Sequence, residues 1–380
     1  MCPIKYSIMK KLLLIFALLA SISLEAQFVT SLAKNVDESQ SDGVMYYLPR
    51  NVVRLEFTIE ETGYFMGPYA EFASKMLGTT DYITENKTEY NIKNVDIQTF
   101  TEIDPTSAFI IEPDEKGKEP MPNIILDPDG VILALGYDNI PSGFQFEHKT
   151  FDDSDMNTNE RVVASFIEIL DNEVELDDDD DDDDDSEDEN GLLKKKNNKT
   201  KTITKEDKAK AALEKISNVK NAYFELISGA QEVAYGSTTK YMANNLKELE
   251  NEYLSLFKGK KVKNIYKKVV YVTPESNQLN GTLSIGKLND EGENVKIQFD
   301  SKVSSQNLKS TSHDLKNSFQ TNKVFYRIPY KTNMKVIYGN NIIAEKALII
   351  SQFGDIKAIT VKNSKALFNP NTGQIISITK

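Results

Sequence analysis

The most conspicuous reactive groups in the sequence are the consecutive carboxylates from Asp177 to Asp185. Carboxylate oxygens are ligands for Ca²⁺, and a dense acidic run also attracts basic partners. A high-affinity calcium loop, however, spaces its ligands, carries a Gly at its sixth position and ends in a bidentate Glu, and this run has none of these features. We therefore predict a solvated linker with weak, non-specific cation binding at Asp177, Asp181 and Asp185. The block Lys194-Lys195-Lys196 lies close enough in sequence to neutralise part of the tract.

Two other groups of carboxylates have spacings that suggest chemistry. Asp127-Pro128-Asp129-Gly130 resembles part of a calcium loop, but only two carboxylates precede the Gly, so we predict a tight turn. Glu60 and Glu61 could be considered as a pair for acid–base hydrolysis, yet at the end of a strand we expect both to face solvent. A hydrolase would need two carboxyl groups facing one cleft, about 5–9.5 Å apart. That alternative stays open, because the spatial pairing of carboxylates cannot be read from sequence.

Sulfur and imidazole chemistry has few candidates. Cys2 is the only cysteine, and His148 and His313 are the only histidines, neither of them in a His-Glu-x-x-His arrangement. We expect each histidine to be a surface or structural residue. Gly-x-Ser-x-Gly, the phosphate-binding Gly-Lys-Ser/Thr and Gly-x-Gly-x-x-Gly are all absent from the sequence. The sequence therefore predicts no catalytic residue, no cofactor site and no firm metal site.

Aromatic side chains lie on both sides of a Gly-Pro pair at residues 67 and 68. They are Tyr46, Tyr47, Tyr64, Phe65 and Tyr69. Such a group suits an exposed binding surface, and it suits the interior of a core equally well. Both interpretations stay open.

Length, composition and charge indicate the class of protein that must position these groups. The chain has 380 residues, of which 39% are hydrophobic and 27% charged, which suits a globular protein of two domains. Its formal net charge is −13, and residues 171–190 alone carry 15 acidic side chains and no basic one. The second half is basic, but many of its lysines share helices with Glu, so we predict no nucleic-acid partner.

The first 26 residues have the pattern of a signal peptide. Met9-Lys10-Lys11 precedes the apolar run from Leu12 to Leu24, and Ala26 supplies a small residue for cleavage. The run is shorter than the roughly 20 residues that a membrane anchor needs. Cys2 lies before the apolar run, so it cannot serve as a lipoprotein cysteine. We predict export to the periplasm or cell surface, cleavage after Ala26, a flexible segment at 27–43, and a mature chain with no thiol and no transmembrane segment.

Residues 44–170 are predicted to form an N-terminal α+β unit. Alternating residues indicate a strand from Val53 to Glu60, with Pro49 at its entry or at a sheet edge. The other predicted elements are a three-turn helix from Tyr69 to Gly78, a strand at Asn91–Thr101, a hairpin over 124–135 and a helix at Arg161–Leu170. A low-complexity linker or loop follows at 171–203.

Residues 204–380 are predicted to form a C-terminal α+β unit. Thr204 and Asp207 approximate a capping box for a helix that ends at Gly229, and Ser237 or Thr238 would cap a second helix that ends at Gly259. Short β patterns follow at Val269–Val272, Gly281–Ile285, Val295–Phe299, Phe325–Ile328, Lys335–Tyr338, Ile342–Ala344, Ala347–Ile350 and Gln374–Ile378. Asn-Gly-rich turns at 339–341 and 371–373 join some of them. The predicted fold class is therefore α+β: a mixed, β-rich N-terminal unit with short helices, then a helical pair and a mostly antiparallel sheet or sandwich.

Several short motifs occur together in a fixed order along the chain. They are Tyr47-Leu48-Pro49-Arg50, Gly67-Pro68-Tyr69-Ala70 up to Leu77-Gly78, Asp104-Pro105, Ile227-Ser228-Gly229, Leu256-Phe257-Lys258-Gly259, Tyr326-Arg327-Ile328-Pro329 and Gln352-Phe353-Gly354. In these motifs the chain resembles the domain-of-unknown-function family numbered 4831, exported proteins of Bacteroidota. The resemblance spans about Val44 to Asp355 and implies an envelope address and no assigned reaction. The poly-Asp tract looks like an insertion in this pattern, and packing of the two halves together is open beside independent domains.

These observations favour a non-enzymatic protein of the cell envelope that binds or scaffolds a protein or glycan partner. Two alternatives are an Asp/Glu-dependent hydrolase of the envelope and a weak calcium binder that uses the poly-Asp tract. The oligomeric state is left open.

Overall fold

The computed structural model describes residues 27–35, 42–114, 120–144, 164–170, 202–229, 236–289, 292–300 and 320–380. The predicted signal peptide, the poly-Asp tract with Asp177, Asp181 and Asp185, and both histidines therefore lie outside the described residues.

Strands dominate the described part of the chain. They are β1 (Phe28–Leu32), β2 (Val44–Phe65), β3 (Lys87–Pro113), β4 (Ile124–Leu126), β5 (Ile132–Leu135), β6 (Lys260–Val272), β7 (Thr282–Lys287), β8 (Asn294–Asp300), β9 (Gln320–Thr321), β10 (Lys323–Tyr338), β11 (Asn341–Thr360), β12 (Lys365–Phe368) and β13 (Ile375–Thr379). The helices are α1 (Ala73–Leu77), α2 (Lys205–Ser228) and α3 (Thr239–Lys258). None of the helices described is long and apolar enough to cross a membrane.

These strands form three sheets, ordered β6-β2-β3-β1-β9, β11-β10-β8-β7 and β13-β12-β5-β4. Antiparallel pairing predominates, as between β10 and β11 and between β12 and β13. The predicted α+β fold class is confirmed.

The chain folds into two compact units. Unit 1 draws on residues 1–58, 93–157 and 267–380, and unit 2 on residues 59–92 and 158–266. These are not the predicted segments 44–170 and 204–380, because each unit takes residues from both sides of the linker predicted at 171–203. The division falls within the long strands β2, β3 and β6, which local sequence patterns do not mark as boundaries.

Unit 1 has a core of aromatic and branched side chains. Phe109 stacks on Tyr46 and on Phe325, with ring centroids 5.5 and 4.5 Å apart. Leu48, Ile111, Ile132, Leu135, Val324, Ala366 and Phe368 are buried with them. Because these residues come from five strands, several of them far apart in sequence, burial of this apolar surface ties distant segments together.

Unit 2 contains the helical pair, and its ends follow the predicted signals. Thr204 N donates to the Asp207 carboxylate at 2.9 Å, while Asp207 N donates to Thr204 Oγ1 at 3.2 Å, so the capping box is confirmed. Gly229 ends α2 with φ of 71°, a left-handed value that Gly adopts at little cost. Thr238 stands at the N-cap of α3, but its side chain makes no capping hydrogen bond, which corrects that prediction.

The core of unit 2 is rich in alanine where the helices pack. Ala209, Ala212 and Ile216 of α2 are buried with Leu256 and Phe257 of α3. Tyr69 and Ala73, at the start of the short helical segment after β2, join the same core.

Three N-terminal elements differ from their predictions. Pro49 lies inside β2, which begins at Val44, and not at the strand's entry. The predicted three-turn helix is one 3₁₀ turn followed by α1, although Gly78 ends it as expected. Residues 164–170 are not helical; Phe166 and Ile169 instead pack their side chains on the unit 2 core, so burial produced the apolar spacing that suggested a helix.

Four of the predicted C-terminal β segments merge into two long strands. Phe325–Ile328 and Lys335–Tyr338 both belong to β10, and Ile342–Ala344 and Ala347–Ile350 both belong to β11. The gap between the two predicted β10 segments begins at Pro329, where this pair contains a large bulge. Ile328 pairs with Asp355 and Tyr330 pairs with Ile350, so residues 351–354 face Pro329 alone. Pro329 cannot donate a ladder hydrogen bond, which suits a bulge.

Candidate functional site

The bulge in β11 turns two polar side chains into the interior of unit 1, where they join other buried polar groups. We call this set the polar cluster. It comprises Asn51 of β2, Thr101, Asp104, Thr106 and Ser107 of β3, Arg327 of β10, Ser351 and Gln352 of β11, and the carbonyls of Asn371 and Gly373. Gly354 closes the bulge, and a Cβ there would overlap the carbonyl oxygen of Ile328. The backbones of β10 and β11 approach too closely for any side chain at that position.

Asp104 lies at the centre of one half of the cluster. Its Oδ1 accepts hydrogen bonds from Thr106 N at 3.0 Å and Thr106 Oγ1 at 2.6 Å, and its Oδ2 accepts from Ser107 Oγ at 2.9 Å and from Arg327 Nη2. Burial alone would raise the pKa of Asp104, but the Thr106 hydrogen bonds and the positive charge of Arg327 outweigh it and lower that pKa. Asp104 is therefore ionised at neutral pH.

Arg327 balances this charge from a strand distant in sequence. Its side chain is 4% exposed, and Nη2 also donates to Ser107 Oγ at 2.9 Å. Burial lowers the pKa of Arg327, while the negative charge of Asp104 and its hydrogen bond act in the opposite direction and favour the charged guanidinium. Nε has no hydrogen-bond acceptor among the residues that the structure describes. Part of the desolvation cost of Arg327 is therefore not offset by hydrogen bonding.

Asn51 and Gln352 form the other half of the cluster. Asn51 N donates to Gln352 Oε1 at 2.9 Å, and Gln352 Nε2 donates to Asn51 O at 2.7 Å and to Pro274 O at 3.0 Å. Ser351 N donates to Asn51 Oδ1 at 2.7 Å. The amide side chain of Gln352 thus replaces a strand neighbour for the backbone of β2. It satisfies buried groups that would otherwise be unpaired.

The turn between β12 and β13 is held by the same cluster. The Asn371 carbonyl accepts from Asn51 Nδ2 at 3.2 Å, and the hydroxyls of Thr101 and Ser351 are each 3.4 Å from it. Arg327 N donates to the Gly373 carbonyl at 2.9 Å. The last hairpin of the described chain is therefore tied to β2, β3, β10 and β11 by main-chain carbonyls.

The arrangement of the cluster fits support better than acid–base chemistry. A general base needs a lone pair directed at a substrate, and a general acid needs a proton that it can release near working pH. Both oxygens of Asp104 already accept two hydrogen bonds each, and its lowered pKa keeps it ionised. The cluster joins strands; it presents no free carboxylate to a cleft.

Glu60 and Glu61 were predicted to face solvent at the end of a strand, and this prediction is wrong. Both residues lie inside β2, which continues to Phe65. The two side chains differ in environment: Glu60 is 3.6 Å from the ammonium of Lys263, whereas Glu61 is buried. Arg54, in the same strand, is also buried, and it pairs with Glu56 at 2.6 Å.

The predicted aromatic group divides between core and surface. Tyr46 and Tyr69 are buried core residues, which corrects the surface interpretation for these two. Tyr64 is partly exposed, with the ammonium groups of Lys87 and Lys261 at 4.8 and 4.9 Å from its ring centroid. Its hydroxyl donates to Glu89 at 2.9 Å. Tyr64 is therefore part of a charged surface of unit 2.

The predicted turn at Asp127-Pro128-Asp129-Gly130 is confirmed. Asp127 Oδ1 accepts from Asp129 N at 2.9 Å and from Val131 N at 2.8 Å, and Gly130 has φ of 88°. The turn joins β4 to β5. Within the described ranges no group of three or more His, Cys, Asp or Glu side chains is placed to hold a metal ion.

Comparison with known proteins identifies one family. A model described as "Domain of unknown function (DUF4831)" matches residues 42–376. The chain belongs to this family. No curated protein and no solved structure matches it. The resemblance inferred from short motifs is confirmed, and the matched region extends past the predicted end at Asp355 to include β12 and the turn that follows it.

The motifs that carried the resemblance supply much of the polar cluster. Asp104-Pro105, Tyr326-Arg327-Ile328-Pro329 and Gln352-Phe353-Gly354 contribute the ion pair, the amide and the bulge. Sequence reasoning singled out these motifs but assigned no role to Asp104, Arg327 or Gln352. The available signal was a charged residue at a strand position flanked by apolar ones, as Arg327 is between Tyr326 and Ile328.

Proposed function

We propose that this chain is an exported protein of the cell envelope that binds or scaffolds a protein or glycan partner without catalysing a reaction. The observation that carries the proposal is the polar cluster, in which the polar side chains of the family motifs bond to one another. Groups that are already satisfied inside a fold support a framework, whereas catalytic groups face a substrate. The sequence of residues 9–26 supports the export part of the proposal.

Export is tested by disrupting the apolar run. Leu14→Arg places a charge inside that run and should hold the protein in the cytoplasm, as measured by cell fractionation and immunoblotting. Ile4→Arg, which lies before Met9, is the matched control and should leave export unchanged. Equal distribution of the Leu14→Arg variant and the unaltered protein would contradict export through this segment.

Binding is tested by photo-crosslinking in intact cells. A benzophenone side chain placed at Phe224 or Tyr241, which are 66% and 69% exposed on α2 and α3, should capture a discrete envelope component. Asn218 is an exposed polar position on α2 and serves as control. Protease-sensitive adducts identify a protein partner, and protease-resistant adducts that a glycan hydrolase removes identify a glycan. Equal labelling at Asn218 and Phe224 would count against a specific partner.

Catalysis is tested directly on the purified protein. Incubation with envelope polysaccharide should release no product above that seen with heat-denatured protein. Release of product that Asp104→Asn abolishes, while the variant keeps its fold by circular dichroism, would overturn the non-enzymatic proposal in favour of a carboxylate-dependent hydrolase.

A further inference from the structure

Gln27, the residue that follows the predicted cleavage site, is held through both its backbone and its side chain. Gln27 N donates to Asn322 Oδ1 at 2.6 Å, and Phe28 N lies 3.3 Å from the same oxygen. Gln27 Nε2 donates to Asn363 Oδ1 at 2.7 Å, and Asn363 N donates to Gln27 Oε1 at 3.2 Å. The two asparagines thus form a clamp on one residue from sequence positions about 300 residues away.

Both clamp residues have an unusual backbone. Asn322 has φ of 52° and Asn363 has φ of 49°, and in the described ranges Asn280 is the one other non-glycine residue with positive φ. This region disfavours L-residues, although asparagine tolerates it better than most, and such residues concentrate at functional positions. The backbone of Asn322 is fixed further, because Asn322 N donates to Phe28 O and Val361 N donates to Asn322 O, each at 2.8 Å. The geometry that aims the two side chains at Gln27 is therefore built into the fold.

The chemistry at stake is cyclisation of an amino-terminal glutamine. The neutral α-amino nitrogen attacks Cδ of the side-chain amide, a nitrogen–carbon bond forms, the bond from Cδ to Nε2 breaks, and one proton passes from the α-nitrogen to Nε2. One ammonia leaves and a five-membered lactam remains, which removes the positive charge of the amine. The reaction requires the α-nitrogen to reach Cδ. In this structure the nitrogen is directed to Asn322, while both amide atoms of the side chain are directed to Asn363.

We propose that Gln27 is a protected processing site: after cleavage it is the first residue, and the clamp keeps it as open-chain glutamine with a free amine. This inference rests on the proposed export and its cleavage after Ala26. The charged amine strengthens the hydrogen bond to Asn322 Oδ1 relative to that of a peptide N–H. Cyclisation must first break the hydrogen bonds between Gln27 and the clamp.

The test measures the amino-terminal peptide of the exported protein by mass spectrometry. The protein is expressed with its own leader, purified from the exported fraction and incubated at neutral pH. The unaltered protein should begin with uncyclised Gln27. Asn363→Gly and Asn322→Gly remove the side chains yet permit positive φ, and each should raise the cyclisation rate about five- to tenfold, the effect of losing one or two hydrogen bonds. Asn280→Gly, which makes the same change at the third such asparagine, should leave the rate unchanged.

The outcomes separate the two proposals. A first residue other than Gln27 overturns the predicted cleavage and the clamp with it. A chain that begins at residue 27 but carries the lactam in the folded, unaltered protein leaves the cleavage intact and overturns the clamp alone. Equal cyclisation rates for Asn363→Gly, Asn280→Gly and a free peptide of residues 27–35 also overturn the clamp.

Discussion

In unit 1, buried polar side chains join strands that are far apart in the sequence, whereas in unit 2 the helices are fixed by signals within a few residues of their own ends. Asp104 and Arg327 are separated by 223 positions and meet inside the fold. Thr204 and Asp207 are separated by 3 and define where α2 begins. The comparison shows that one chain uses two sources of specificity: long-range polar pairing for the sheets and local capping for the helices.

The largest expected effect comes from breaking the ion pair of the polar cluster. Arg327→Met leaves the Asp104 carboxylate buried without its opposite charge, and we expect a loss of about 3–5 kcal/mol in the free energy of unfolding. Urea unfolding followed by circular dichroism measures it. Asp104→Asn combined with Arg327→Met should be less destabilised than the single Arg327→Met variant. A loss under about 1 kcal/mol for Arg327→Met would show that the pair does not hold unit 1 together.

A second prediction concerns the amide that bridges β2 and β11. Gln352→Leu removes the hydrogen bonds to Asn51 N, Asn51 O and Pro274 O at nearly constant volume. Because these backbone groups are buried, we expect a loss of about 2–3 kcal/mol. Gln298→Leu, on β8, is the matched control; its side chain bonds Asp300 in a partly exposed setting, and it should cost less than half as much. Equal losses in the free energy of unfolding for the two variants would contradict the bridging role of Gln352.

The pH dependence of stability provides a third, smaller effect. The pKa of Asp104 is lowered in the folded protein, so its contribution is complete above the unfolded value of about 3.9 and is lost as pH falls through the folded value. Asp104→Asn cannot titrate and should show a flatter decline of the urea midpoint below pH of about 4. Parallel declines for the variant and the unaltered protein would mean that other carboxylates govern acid unfolding.

The smallest effect is expected in unit 2. Thr204→Ala removes the capping hydrogen bond to Asp207 N and should cost about 1 kcal/mol, measured in the same urea assay. Thr238→Ala changes the equivalent N-cap position of α3, where the side chain makes no capping bond, and should cost less. A larger loss for Thr238→Ala than for Thr204→Ala would reverse the assignment of the two caps.

The same contrast explains what sequence reasoning could predict. The capping box at Thr204, the helix end at Gly229 and the turn at Asp127 depend on neighbouring residues, and each was predicted correctly. The polar cluster depends on strands that meet only after folding. Its Gln352 also depends on the bulge opposite Pro329. The residue pattern within one strand does not show which distant strands will contact it. The helix predicted at Arg161–Leu170 failed for a related reason, since apolar spacing also arises when an irregular segment packs on a core.

Predictions about candidate chemical groups also differed according to whether they depended on the fold. Exclusion of cysteine and histidine motifs needed only a count of residue types. The burial of Glu61, by contrast, was not predicted, because the sequence pattern did not show that β2 continues to Phe65. The polar cluster was visible in the sequence only as short motifs without an assigned role.

The hairpin of β12 and β13 has a bearing on how the protein is made. β12 lies between β13 and β5, and the carbonyls of Asn371 and Gly373 complete hydrogen bonds for residues of β2, β3, β10 and β11. Unit 1 therefore lacks these hydrogen bonds until residues 365–379 have left the ribosome, even though β2 is synthesised much earlier. The fold of this unit is completed only after these residues have been synthesised, because the contacts that they make are distant in sequence.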